Sequence, residues 1–479
     1  MRERRAGYLA FDLGASSGRA MLGWLEGPVL HMAEVHRFET SLIERDGHLF
    51  WDVEALEQEI WTGLQQALAQ MPALRAVSVD SWAVDYVLLN REGRPLRPPY
   101  SYRDTRTRPM MARAFARVAP AELYARTGIQ LIPINTLYQL LADLEEDPAV
   151  LRRAERLLLI ADYFNHRLGG QPVVEVSMAS TTQLMNVHTR QWDAELLRAF
   201  GLDFPCWPEI VPSGQVIGQV RGHPSVAVIA SCSHDTACAV AAVPARPGTR
   251  WAYISLGTWA LLGVERTTPI LTDAAREAGF THEAGLDGTI RFLKNLTGLW
   301  VLQECLRAWR QEGPVSWEAL EAEARAAPAE RCYLDLDDPY FFEPGQMPER
   351  VVAYCRQHGL PVPESRGQMV RAILESLARN FRRALRQLEA LLEAPVDTLH
   401  IVGGGARNRL LCQLTADTCE VRVVAGPAEA TAMGNLLIQA RTLGDLPEGY
   451  TLRDVVARSE TCWIYEPHQK SIPQPATER

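Results

Sequence analysis

Tyr8-Leu-Ala-Phe-Asp12-Leu-Gly14-Ala-Ser-Ser-Gly18-Arg19-Ala-Met-Leu-Gly23 opens this chain, and Ala252-Tyr-Ile-Ser255-Leu-Gly257-Thr258-Trp-Ala-Leu-Leu-Gly263 echoes it past the midpoint. Each reads as an apolar strand, a tight Leu-Gly turn with small hydroxyl residues, and a second apolar strand ending in glycine. Loops built from Gly, Ser and Thr let backbone N–H groups and hydroxyls approach phosphate oxygens, because no large side chain intervenes. One such hairpin is unremarkable in a protein with strands. Two with a shared Leu-Gly core, 243 positions apart in 479 residues, point to a duplicated domain with one phosphate-binding hairpin in each half.

Length and composition set the frame. A chain of 479 residues exceeds one ordinary core, so two or three domains are expected. A hydrophobic content of 47% with a mean hydropathy of -0.12 fits a soluble globular protein. The net charge of -9 argues against nucleic-acid binding by bulk electrostatics. Lys294 and Lys470 are the only lysines, and the other 47 of the 49 cationic residues are arginine. A Walker-type loop needs Gly-Lys-Ser/Thr, which neither lysine provides, and no G-x-G-x-x-G supports a dinucleotide site. Any phosphate chemistry here proceeds without a phosphate-binding lysine in that loop.

The nine cysteines form no C-x-x-C pair, and Cys232, His234 and Cys238 have no structural-zinc spacing, so buried thiols are expected. The apolar stretch after Met1–Arg5 meets Asp12 too soon for a signal segment, and no run suits a membrane helix. A reduced, cytoplasmic protein is the expectation.

Along the chain, strands are expected at 8–25, His31–Phe38, Ala76–Val79 and Tyr86–Leu89, the last beside a hairpin turn at Asn90–Gly93. Asp52 reads as the N-cap of a helix to Gln70. Residues 109–170 read as largely helical, including Leu137–Leu144 and Leu151–Leu159. Val226–Ala230 is a short buried strand, and Asp235 opens a helix ending before Pro244. The boundary is placed there, giving domains over 1–244 and 245–466 and a loosely held tail over 467–479. In the second half, helices are expected at Leu299–Arg310 and Gly367–Glu393. Strands at Leu399–Val402 and Arg422–Val424 precede a helix over Glu429–Thr442.

Several residues suit chemistry. Asp12 ends a strand at the first loop, where a carboxylate can hold a magnesium ion beside phosphates or simply bond its own turn. Arg19 either neutralises phosphate charge or is solvated. Asp235, in Ser233-His234-Asp235-Thr236, follows a buried strand and lies just upstream of the second hairpin. Its position suits a base that takes a hydroxyl proton during phosphoryl transfer, though Asp also caps helices well. Gly403-Gly404-Gly405 either carries a purine on its backbone or allows tight helix–strand packing. Gly14-Ala-Ser16-Ser-Gly18 also spells a nucleophile elbow, but an elbow requires a helix after the turn, and Arg19–Leu25 reads as a strand.

A wider set of motifs then carries a resemblance. Asp80-Ser-Trp-Ala-Val-Asp85, Tyr102-Arg-Asp-Thr-Arg-Thr107, Asn135-Thr-Leu-Tyr-Gln-Leu140 and Ala161-Asp-Tyr-Phe164 follow the first loop. Leu293-Lys-Asn295, Gly298-Leu-Trp300 and His400-Ile-Val-Gly-Gly-Gly405 follow the second. In this order, over about residues 7–455, the chain resembles the FGGY-type carbohydrate kinases of the actin and hexokinase superfamily. The resemblance implies an α/β fold of two RNase H-like domains with an active-site cleft between them, and an ATP- and Mg2+-dependent phosphotransferase. It implies L-rhamnulose as acceptor, phosphorylated on its 1-hydroxyl, with L-fuculose or a pentulose as alternatives. ATP would lie against Ala15, Ser16, Ser17, Gly18, Arg19, Thr258, Gln303 and Gly404. The sugar would lie against Ala83, His234, Asp235, Thr236 and Asn295, with Asp235 as base and Asp12 near the metal. Ala83 stands where resembling kinases have glycine, and its methyl narrows that part of the pocket. The remaining alternative is a non-catalytic ATP- and sugar-binding protein on the same fold. A monomer or homodimer, with neither nucleic acid nor membrane as partner, completes the expectation.

Overall fold

The computed structural model describes residues 6–329 and 331–468. The fold is mixed α/β with two major sheets, and the chain divides into two compact units. The first comprises 1–244, 263–294 and 429–461; the second comprises 245–262, 295–428 and 462–479.

In the first unit the opening motif forms the expected hairpin, Gly7–Leu13 antiparallel to Ser17–Glu26, and Val29–Glu39 extends it. On the other side, Gly7–Leu13 pairs in parallel with Leu74–Ser81, which pairs in parallel with His223–Ala230; Gln215–Val220 closes the sheet. Three neighbouring strands therefore point the same way, and their carboxyl ends deliver Asp12, Asp80 and the segment leading to Asp235. The helix Val53–Gln70 covers one face. Its Asp52 N-cap accepts from Ala55 N at 3.0 Å, and Val53, Leu56, Ile60, Leu64 and Ala67 form its buried stripe. Gly63 lets it sit close: a Cβ there would meet Phe11 at 2.8 Å.

Two segments expected in the second domain pack into the first unit. The helix Ala430–Thr442 crosses Asp235–Ala241 so closely that a Cβ on Gly434 would lie 1.9 Å from the Cys238 carbonyl. Gln439 Nε2 donates to Leu9 O at 2.9 Å. The hairpin Phe280–Ala284 with Ile290–Thr297 joins through Tyr124 Oη donating to Phe280 O and Ala284 N donating to Ser180 Oγ. Neither attachment has a local sequence signal, since the partners lie 104 to 430 positions away.

The hairpin's His282 is buried and neutral. Its Nδ1 donates to Gly128 O at 2.9 Å while Nε2 accepts from Ile270 N at 2.9 Å, and burial depresses its pKa to about 4. The unfolded chain takes up that proton near 6.5, so the contribution is fully present above about pH 6.5 and is lost as pH falls toward about 4. The loss amounts to about 3 kcal/mol. The drop in Tm from about pH 7 to about pH 4.5 should therefore be smaller in His282→Gln than in the unsubstituted protein; an equal drop would refute the assignment.

One local expectation changes. Arg156–Leu159 is a strand rather than the end of a helix, and it pairs antiparallel with Tyr86–Leu89. A run of three leucines has no period of its own, so its partner decides. Asn90–Gly93 is the expected hairpin turn, closed by Asn90 N donating to Arg94 O at 2.9 Å with Leu89 and Pro95 as antiparallel bridge partners, and the strand before it pairs on with Arg156–Leu159.

In the second unit, Trp251–Leu256 pairs in parallel with Thr398–Val402, which pairs in parallel with Arg422–Ala425; Trp463–Tyr465 adds antiparallel at that edge. The start of Trp259–Arg266 lies on the other side of Trp251–Leu256. The helix Arg366–Leu392 supplies much of this unit's core through Val370, Ile373, Leu374, Leu377, Phe381 and Leu385. Of the tail expected at 467–479, residues 469–479 lie outside the described residues.

Candidate active site

The first loop is a tight turn: Gly14 N donates to Ser17 O at 2.9 Å, and Thr40 Oγ1 donates to Gly14 O at 2.8 Å. Ser16 is exposed, with Gly14, Ala15, Ser17 and Arg19 half-buried around it. Gly18 has a packing reason of its own, because a Cβ there would meet the Phe38 ring at 2.3 Å.

Asp12 and Asp80 are register partners on adjacent parallel strands. Asp12 also faces Arg19 across the hairpin, and the two form an ion pair at 2.6 Å; the other Arg19 amine pairs with Glu429. Arg19 is thus neither solvated nor idle, and a phosphate would have to share it with two carboxylates. Asp80 is fully buried and accepts from Asn435 Nδ2 at 2.5 Å. Burial, reinforced by Asp12, lifts its pKa well above the usual carboxylate range. Sequence reasoning missed this role, since Asn435 is 355 positions away.

Asp235 sits where the third parallel strand hands over to the helix Asp235–Ala241. The N-cap residue is His234, and Asp235 is the first helical residue, which leaves its carboxylate available for other work. Its Oδ1 accepts from Thr236 N at 2.5 Å and Thr236 Oγ1 at 3.1 Å, and His234 Nε2 lies 3.3 Å away. Oδ2 has no partner among the described residues. About 30% of the side chain reaches solvent. Desolvation nevertheless raises its pKa above the ordinary value, with Asp12 adding to the rise and His234 opposing it. A carboxylate anchored by one oxygen, open at the other and more basic than usual is suited to accepting a proton.

Ala83 is half-buried in a constrained segment. Val84, a β-branched residue, adopts φ +69, a left-handed conformation such side chains resist. Thr136 Oγ1 holds it by donating to Val84 O at 2.6 Å. The next residue, Asp85, is buried and accepts from Trp51 Nε1, Trp82 Nε1, Tyr102 N and Gln139 Nε2 at 2.5 to 3.2 Å. Burial still lifts it to about 6 despite four donors. These contacts fix the backbone that presents Ala83, and they give Trp82 inside the motif and the distant Trp51 a shared partner.

In the second unit, the loop Leu256–Trp259 caps the helix Trp300–Glu312. Leu299 N donates to Gly257 O and Gly298 N to Thr258 O, at 2.9 and 3.1 Å. Thr258 Oγ1 donates to Gln303 Oε1 at 3.1 Å, which joins two expected nucleotide residues. Asn295 lies half-buried in Ile290–Thr297.

The glycine triplet separates by role. Gly403 has φ +83, which favours glycine, and a Cβ on Gly405 would strike Leu256 at 2.2 Å. Gly404 has neither reason: it is exposed, and a Cβ there would meet nothing within 4 Å. Gly257 is the same. The tight-packing reading holds for Gly405, while nothing in the protein itself occupies the space beside Gly404. Among the described residues no group of three or more His, Cys, Asp or Glu is placed to hold a metal ion, and no helix is long and apolar enough to cross a membrane. Magnesium needs no such cage, because it binds through one or two carboxylates plus phosphate and water. The half-buried Asp12 fits that pattern.

Residues 7–241 match the N-terminal domain, and 252–443 the C-terminal domain, of the FGGY family of carbohydrate kinases. The chain is 41% identical over 468 residues to a rhamnulokinase of Bacteroides thetaiotaomicron, covering 96% of each. It is 42% identical to one of Klebsiella pneumoniae, covering 97% of this chain and 95% of the relative. It is 40% identical to one of Bacillus subtilis, at 96% and 95%. Its fold is similar to that of a ligand-bound xylulose kinase from Lactobacillus acidophilus, with a TM-score of 0.80 at 19% identity over 97% of this chain and 94% of that one. A Plasmodium falciparum glycerol kinase with ADP aligns at a TM-score of 0.77 and 13% identity, with the same coverage.

Proposed function

The chain belongs to the FGGY family of carbohydrate kinases, and we propose that it transfers the γ-phosphoryl group of ATP to the 1-hydroxyl of L-rhamnulose. Its relatives over nearly the whole chain are rhamnulokinases, which supports the sugar assignment. The observation that carries the chemistry is Asp235, held through Oδ1 and open at Oδ2.

In this proposal Oδ2 takes the proton of the sugar hydroxyl as the hydroxyl oxygen forms its bond to the γ-phosphorus. The bond to the bridging oxygen of ADP breaks, and the negative charge departs on ADP. His234, Thr236, Ala83 and Asn295 orient the ketose, with the strained Val84 turn holding Ala83 in place. The Gly14–Arg19 loop and Thr258 take phosphate oxygens, and Gln303 and Gly404 take the adenosine. Asp12 would hold Mg2+, which when bound screens the charge on the phosphates. A cytoplasmic monomer or homodimer is part of the same proposal.

An ADP-release assay with a ketose panel tests it. L-rhamnulose should give the highest kcat/KM, ahead of L-fuculose and the pentuloses, and phosphorus NMR should identify a 1-phosphate. Turnover faster with a pentulose would reassign the substrate. Binding of ATP and sugar without ADP release would instead leave a non-catalytic protein.

A further inference from the structure

His234 sits between Asp235 and a buried ion pair. Glu283 and Arg291 lie directly opposite each other in the hairpin Phe280–Ala284 with Ile290–Thr297. Arg291 is 0% exposed and Glu283 is buried as well. The Arg291 Nη2 amine lies 3.0 Å from Glu283 Oε2 and 3.0 Å from His234 Nδ1, and Arg291 Nε donates to Ala284 O at 3.2 Å. On the far side of the ring, His234 Nε2 lies 3.3 Å from Asp235 Oδ1. Neither Arg291 nor Glu283 belongs to the residues that the sequence motifs single out.

We infer that Arg291, held by Glu283, fixes His234 as the neutral imidazole protonated on Nε2, and that this N–H holds Asp235 in place for its work as base. A guanidinium offers only donors and keeps its charge in a protein. The nitrogen facing it at hydrogen-bond distance must therefore accept, so Nδ1 carries no hydrogen. A neutral imidazole with a bare Nδ1 carries its hydrogen on Nε2, the atom that faces Asp235. The alternative, an Nδ1–H donating to Glu283 Oε2 at 3.3 Å, would set two donors against each other at 3.0 Å. A doubly protonated ring would place a second buried cation against the first.

Glu283 makes this arrangement tolerable. Burial pushes its carboxyl upward, but Arg291, the largest opposing influence, holds it below its usual range, so it balances the guanidinium. The charged groups facing the ring are then Arg291, Glu283 and Asp235, and Asp12 acts on Asp235 at longer range. With Nδ1 occupied by a permanent donor, His234 does not compete with Asp235 for the hydroxyl proton. The Nε2–H fixes Oδ1 and leaves Oδ2 to react. Arg291 and Glu283 are positioning residues in this scheme, and it rests on Asp235 being the base only in its kinetic consequence.

The test reads the tautomer directly. In histidine-labelled protein, long-range proton–nitrogen spectra, assigned by loss of the His234 signals in His234→Gln, should show Nδ1 bare and Nε2 protonated in the resting protein. The double variant Arg291→Met/Glu283→Gln removes both buried charges together and so keeps the fold. There His234 should lose its fixed tautomer. The kcat should fall roughly tenfold or more, with the KM for ATP unchanged. A resting His234 protonated on Nδ1 or on both nitrogens would overturn the inference, as would a folded double variant with the tautomer and kcat of the unsubstituted protein. Activity in Asp235→Asn would remove the base assignment and leave the tautomer result standing, so the two failures are distinguishable.

Discussion

Asp235→Asn is expected to fold, to bind ATP, and to lose about 10²- to 10⁴-fold in kcat, the usual contribution of a positioned base. An amide fills the same space and still accepts from Thr236 N and Thr236 Oγ1 through its carbonyl, so the helix start keeps its bonds. It cannot take a proton. Because the surrounding protein penalises the ionised carboxylate here, the neutral amide should leave Tm unchanged or raise it. The pH profile follows from the same shift. The base must be ionised, so kcat in the unsubstituted protein should be flat at high pH and fall as pH drops through the raised Asp235 value. That limb should lie above the ordinary aspartate position of about 3.9, and it should vanish in Asp235→Asn. A folded variant within a few-fold of the original kcat would show that another group takes the proton.

How much of this was legible in the sequence depends on range. The two hairpins, the Asp52 cap and the buried strand before Asp235 were readable because their causes are local: alternation, a capping residue, a glycine at a turn. Asp12 and Asp235 could be singled out because one ends a strand at a glycine loop and the other opens the helix that follows a buried strand. Asp80 could not, although it lies in a quoted motif. Its raised pKa comes from burial and from Asp12 one strand over, and its hydrogen-bond donor, Asn435, sits on a distant helix. The allocation of 263–294 and 429–461 to the first unit was hidden for the same reason. Gly434 looks like a liability within a helix until the carbonyl of Cys238 is seen against it. Arg19 shows the opposite case: the loop motif drew attention to it, but the two carboxylates that occupy it were not evident, because Glu429 is 410 residues away.

Gly257→Val and Gly404→Val are each expected to raise the KM for ATP at least about tenfold, roughly 1.4 kcal/mol of binding, with little effect on stability. A glycine is usually explained by its own protein, through a positive φ or a neighbour that leaves no room for a Cβ. Gly403 and Gly405 have those explanations, and so do Gly18 and Gly298, where a Cβ would meet Phe38 and Trp259. Gly257 and Gly404 have none, since both are exposed with nothing within 4 Å of a built Cβ. The space is open in the protein alone, and in the proposed function the nucleotide lies against the backbone there. A branched side chain there should cost the folded protein less than about 0.5 kcal/mol while excluding the nucleotide. Gly405→Ala provides the contrast: its methyl would fall 2.2 Å from Leu256, so Tm should drop even without ligand. If Gly257→Val and Gly404→Val instead bind ATP normally, neither loop carries the nucleotide. If they unfold like Gly405→Ala, the open space has a structural reason and the glycines say nothing about ATP.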